Sequence, residues 1–197
     1  MTAKKFIEEF IKPYLGYKEG PNNDTIFGTW YGLPNQPWCM MFLMHRFNEA
    51  GIKLPHVSAS CSDMRIWYMN HRPTMVHNKT EPKVGDIMIL NGHTGIVYQI
   101  INDYWFYTIE GNYSDKVTIV KRCTNEVMCF IRPDYEEEVK ELVYHHIDEI
   151  PNWGINAVRW ALDNGILNGV DYQDLGLTLS ELKCVVMLFR FNNLNNN

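Results

Sequence analysis

Four residues in this chain are of the types that together carry out nucleophilic acyl transfer: Cys39, His93, Glu110 and Asn112. A thiol attacks a carbonyl as its thiolate, so it needs surroundings that lower its pKa and a base that takes its proton. Cys39 follows the turn-forming stretch GLPNQPW and opens the apolar run CMMFLMHRF. That pattern predicts a buried helix with the cysteine in its first turn, where partial positive charge and free N–H groups favour a thiolate. The same position also suits an ordinary core thiol, since free cysteine is among the most buried residue types. His93 lies in NGHTGIVYQI, where Gly92 and Gly95 leave room around the ring and the alternation that follows predicts a strand. Glu110, 17 residues on, closes what should be the neighbouring strand, and Asn112 follows at the same-face spacing of two. A hairpin would set Glu110 or Asn112 against the second ring nitrogen of His93, the relation of base to orienting group in a nucleophile triad.

The elements that must position these groups read in order. Residues 3 to 15 carry Phe6, Phe10 and Ile11 at near-helical spacing, with Gly16 as the stop and a turn-rich segment after it. The helix that Cys39 opens should end at Ala50-Gly51. Ser58 and Ser60 look like caps for a second helix, SCSDMRIWYMNHR, ahead of Pro73. From Gly85 the segments DIMILNGHTGIVYQI, DYWFYTIEGNY, KVTIVKRC and EVMCFIRP predict an antiparallel sheet. Cys61, also near a helix start, has no histidine motif following it and is expected to be structural. The pair His145–His146 is read on a solvated helical face, where adjacent side chains diverge too far to share a metal.

A net charge of -5 gives no basic footprint, which argues against nucleic acid or an anionic membrane as partner. No apolar run approaches the roughly 20 residues of a membrane span. Glu8 and Glu9 interrupt the N-terminal stretch where a signal peptide needs an apolar core, so synthesis in a cytoplasm without a signal peptide is expected. Five cysteines without CxxC spacing suit free thiols better than a disulfide framework or a thiolate zinc site.

The order YG...PWC, a helix ending AGI, SCSDM..W, VGDIMIL..HTGIV and TIEGN resembles the CHAP family, the cysteine, histidine-dependent amidohydrolases and peptidases that hydrolyse peptidoglycan and are common in phage endolysins. The resemblance spans about residues 3 to 133. It implies a papain-like α+β fold, N-terminal helices packed on an antiparallel sheet, as a catalytic domain over 1–134. It further implies Cys39 as nucleophile, His93 as general base and acid, Glu110 as the orienting acid and Asn112 as an accompanying polar residue. The oxyanion donors would be the Cys39 backbone N–H plus Tyr31, Asn35 or Gln36. Trp30, Tyr31 and Trp38 could line a substrate groove with Gln36, or serve as core lids. Some members bind calcium through a DxD-type loop before the cysteine. Here that stretch is Gly28-Thr29-Trp30, so calcium is doubtful and neither metal nor other cofactor is expected.

After a charged linker, 135–147, residues 148–192 predict a small α-helical module whose buried faces are Ala157, Trp160 and Ala161 on one helix and Leu182, Val186 and Phe189 on the next. The stretch resembles a single S-layer-homology repeat through Asn152-Trp153, Asn164-Gly165-Ile166, Gly169, Thr178 and Glu181. That resemblance implies either binding to a secondary cell-wall polymer or a homo-oligomer assembled through these helices; a bracket that only stabilises the first domain is the plain alternative. Residues 193–197 should be a disordered tail. The resulting expectation is a peptidoglycan hydrolase, a phage or prophage endolysin or a virion-borne lysin, acting on the wall after release. Whether it is an N-acetylmuramoyl-L-alanine amidase or a stem or crossbridge endopeptidase stays open. The alternatives are a non-catalytic wall-binding or virion structural protein on the same fold, and a cysteine protease or transferase acting on proteins.

Overall fold

Nine consecutive residues from Cys39 to Phe47 are buried, which makes the helix Cys39–Glu49 a central core rod, apolar on nearly every side. In the computed structural model, which describes residues 1–137, 142–167 and 173–195, the chain divides into two compact units, Met1–Glu137 and Glu138–Asn197.

In the first unit the N-terminal segment begins as α1 (Ala3–Phe6), capped by the Thr2 hydroxyl, and continues through a π-helical turn over Ile7–Ile11 and a 3-10 turn over Lys12–Tyr14. It stops at Gly16, whose φ of +86° only glycine adopts readily. Phe6 from this segment stacks on Phe47 at the far end of the core rod, with ring centroids 4.5 Å apart. The turn-rich stretch expected next holds a short helix, α2 (Ile26–Tyr31), which Thr25 caps by accepting the Gly28 N–H. The core rod is α3, and α4 (Cys61–His71) begins at Ser60, whose hydroxyl accepts the Asp63 N–H.

Six antiparallel strands follow: β1 (Val76–His77), β2 (Ile87–Ile89), β3 (Thr94–Ile100), β4 (Trp105–Glu110), β5 (Thr118–Cys123) and β6 (Cys129–Ile131). Their order in the sheet is β1-β6-β2-β3-β4-β5, and α3 packs across β3. Alternation sorts the side chains. Ile96 and Ile109 join the helix-side core, while Val97 and Phe106 join Met88 and Phe130 in a second cluster. Asp86 receives Arg132 through two bonds of 2.8 Å, which ties the start of β2 to the chain just past β6.

The second unit departs from a purely helical module. Its helices α5 (Ile155–Asp163) and α6 (Leu179–Asn195) pack through Ala157, Ala161, Leu182 and Val186, with Trp160 and Phe189 in ring contact, as their spacing predicts. A two-stranded antiparallel sheet, β7 (Val143–His146) with β8 (Gln173–Thr178), completes it. Part of the stretch expected as linker is therefore a strand, because Tyr144 is buried in this unit's core while its neighbours face out. His145 and His146 lie on that strand and not on a helix, and no metal-holding cluster is found among the described residues. Thr178 and Glu181 form a reciprocal capping box at the start of α6. Of the five residues expected as a tail, 193–195 continue α6, and 196–197 lie outside the described residues, as does Gly169. No helix among the described residues is long and apolar enough to cross a membrane.

Candidate active site

The first turn of α3 is set up to hold a thiolate. Its N-cap position is Trp38, which offers no oxygen to the turn's free N–H groups, and the Met40 N–H bonds the Cys39 sulfur instead. An uncapped start costs about 1 kcal/mol. Burying each large apolar side chain of the rod returns about 1.5–3 kcal/mol, so the helix forms regardless. Trp38 itself is fully buried, stacks on Phe27 and donates its indole N–H to Glu19 Oε2 at 2.6 Å. This corrects the groove reading of Trp38: it is a core anchor that fixes the start of α3.

Two glycines bring the sheet to that helix end. At Gly111, just past β4, a Cβ would lie 2.8 Å from both Trp38 and Phe42, so only glycine lets the strand end rest on the first turn of α3. At Gly95 a Cβ would lie 2.5 Å from Glu110 Cγ; the space beside His93 is thus the space that Glu110 fills.

Cys39, His93 and Glu110 come together as the sequence predicts. His93 Nε2 donates to Glu110 Oε2 at 2.7 Å, which leaves Nδ1 for the Cys39 sulfur, with which the ring also hydrogen-bonds. Glu110 is fully buried and takes four hydrogen bonds: from His93, from Thr108 Oγ1, and from Arg122 Nε and Nη2 at 2.8 Å each. Asn112 lies in the turn after β4 at φ +58°, and the orienting bond to the imidazole comes from Glu110 rather than from it.

The electrostatics follow. The Cys39 thiol is lowered to about 5, first by a hydrogen bond from Cys61 and then by His93 and the Met40 N–H, against the opposing effect of burial. Burial pulls the His93 imidazole down, but the Cys39 sulfur and Glu110 outweigh it and raise it to about 9. Burial likewise pushes Glu110 up, and the bonds from Arg122, His93 and Thr108 hold it below the usual carboxylate range. Between about 5 and about 9 the site is a thiolate beside an imidazolium. That pair can attack a carbonyl carbon and return a proton to the leaving nitrogen.

Cys61 is buried, as a structural thiol should be, and has one contact the sequence did not show. It opens α4 as Cys39 opens α3, is buried in the same core, and places its thiol against Cys39. Its own ionisation is pushed up, foremost by that bond, so it acts as donor and not as rival nucleophile. Sequence reading also missed Thr108, Arg122 and Tyr113. Tyr113 is 40% exposed, with its ring 6.3 Å from that of His93. The period of two that puts Thr108 on the face of Glu110 is visible in YTIE; the reach of Arg122 from β5 is not.

The proposed substrate residues separate. Gln36 is exposed in the loop before α3, and Tyr31 is half-buried at the end of α2. Trp30 is 41% exposed, with its ring against those of Tyr31 and His45.

A CHAP domain is found at residues 30–112, a span that holds Cys39, Cys61, His93 and Glu110 and ends at Asn112. No curated protein and no solved structure gives a significant match.

Proposed function

We propose, from the CHAP domain at residues 30–112, that this protein is a peptidoglycan hydrolase which cleaves an amide bond by cysteine nucleophilic catalysis. The observation that carries the reading is the relay Arg122–Glu110–His93–Cys39, with Glu110 and Cys39 buried, whose ionisation suits acyl transfer near neutral pH. In the first step the Cys39 thiolate adds to the amide carbonyl, and the oxyanion meets the N–H groups at the start of α3. Tyr31, Asn35 and Gln36, all in the segment leading to Cys39, are the side chains to test as the second donor. His93 then gives its proton to the leaving amine. Water, deprotonated by the same ring, releases the acyl group and restores the thiolate–imidazolium pair.

The finer reading, a phage or prophage endolysin acting as amidase or endopeptidase without calcium, rests on the order of motifs from Tyr31 to Asn112 and on the Gly28-Thr29-Trp30 stretch that stands where a DxD-type loop would. For residues 148–192 the reading is wall-polymer binding or self-association. Co-sedimentation with purified walls and analytical ultracentrifugation separate the two. The enzyme is tested by mass spectrometry of fragments released from purified Gram-positive walls, with and without calcium chelation. A free lactyl group identifies an amidase, and a new peptide terminus an endopeptidase. Binding without release, by the unaltered protein on walls of several compositions, would overturn the catalytic reading in favour of a recognition module.

A further inference from the structure

The carboxylate that orients His93 is itself in an unusual position. Glu110 is fully buried on β4, where an isolated ionised carboxylate would take up a proton rather than stay charged. Two strand neighbours prevent this. Thr108, two residues earlier on the same face, donates its hydroxyl to Oε1. Arg122, on β5, spans both carboxylate oxygens with Nε on Oε1 and Nη2 on Oε2, the planar fork that a lysine cannot reproduce. The guanidinium is in turn held by Glu126, 3.6 Å away, and by the Tyr113 ring at 5.2 Å. Arg122 lies beyond the matched CHAP segment and touches neither Cys39 nor the face of His93 that meets it.

We infer that Arg122 is a positioning residue which keeps Glu110 ionised and aimed, so that His93 keeps a proton on Nε2 in its charged and neutral forms alike and turns Nδ1 to Cys39. The inference rests on the catalytic reading above and extends it to a residue outside the three reacting groups. Without the fork, Glu110 would be protonated and would donate to Nε2. The ring would then place its remaining proton on Nδ1, facing the sulfur, the wrong tautomer for a base.

The sign of the effect separates this from a merely structural role. The groups facing Glu110 are His93, Thr108 and Arg122; those facing His93 are Glu110, the Cys39 sulfur and the Tyr113 ring. Removing the positive charge alone, with Glu110 still ionised, would favour the imidazolium and widen the active window at its alkaline edge. Neutralising Glu110 does the opposite. His93 falls, Cys39 loses its cationic neighbour and rises, and the window narrows from both sides.

The experiment reads the acid edge from the pH dependence of Cys39 alkylation by iodoacetamide, followed by peptide mass spectrometry, and the alkaline edge from the pH dependence of wall solubilisation, because the thiolate stays reactive to a neutral reagent after the imidazolium loses its proton. Both are measured in the full-length protein, in Arg122→Met, in Arg122→Lys, and in Glu110→Gln with and without Arg122→Met. The expected result for Arg122→Met is limbs moved inward from about 5 and about 9 and solubilisation slowed on the order of 100-fold. Arg122→Lys should shift less in the same direction, and it stands in should the methionine variant not fold. In the Glu110→Gln background Arg122→Met should add nothing. A window that stays put or widens, or losses that multiply in the double variant, would overturn the inference. Should the unaltered protein fail to solubilise any wall, the hydrolase reading falls, while the acid limb of Cys39 alkylation still decides the role of Arg122.

Discussion

The thiol of Cys39 is held low by several donors at once, and they differ in how replaceable they are. Cys61 supplies the foremost contribution, through a bond that removes one neutral S–H and adds no charge. Cys61→Ala should therefore raise the acid limb of Cys39 alkylation without moving the alkaline limb of wall release that His93 sets, and Cys61→Ser, which still donates, should restore part of it. An unchanged acid limb in Cys61→Ala would remove Cys61 from the account. Burial alone acts the other way, as Cys129 shows by being pushed up to about 11. Iodoacetamide near neutral pH should accordingly mark Cys39 far faster than Cys129. The places of Cys39, His93 and Glu110 at element ends could be read from period and punctuation, while the roles proposed for them came with the resemblance to the CHAP family. The bond from Cys61 could not be read this way, since its partner lies across two helix starts whose approach no local pattern encodes.

At the scale of elements, the site depends on how closely β3, β4 and α3 approach one another. Gly95 and Gly111 are the two positions where that approach leaves no room for a side chain. Gly95→Ala should displace Glu110, destabilise the fold by about 1–3 kcal/mol as overpacking does, and slow the reaction beyond what stability loss explains. Thermal unfolding read together with the His93 limb checks it; a stable variant with an unchanged limb would contradict it. The α+β class and the helix and strand starts were legible because period and punctuation agree there. The helix Ile26–Tyr31 was not, since Gly28 and its short length hide it among turn residues. The groove reading of Trp38 failed because an aromatic beside a turn reads equally as groove wall or core lid, until its indole is seen buried and bonded to Glu19.

For the whole molecule, the division at Glu137–Glu138 leaves every group of the relay inside the first unit. A chain ending at Glu137 should keep the acid limb of Cys39 alkylation near about 5 and the alkaline limb of wall release near about 9. A loss of either limb in a folded truncated chain would show that the second unit contributes to the site. The small second core was legible in its helical faces and not in its strands: VYHH alternates over only four residues, too few to outweigh the charged run before it. The central claim, that the relay cleaves an amide in the wall, is tested most directly by the pH profile of fragment release from purified peptidoglycan, measured for the intact protein and for Cys39→Ala. The account predicts a bell with limbs near about 5 and about 9 that Cys39→Ala abolishes. Release that persists in Cys39→Ala, or that shows no limb in either region, would contradict it.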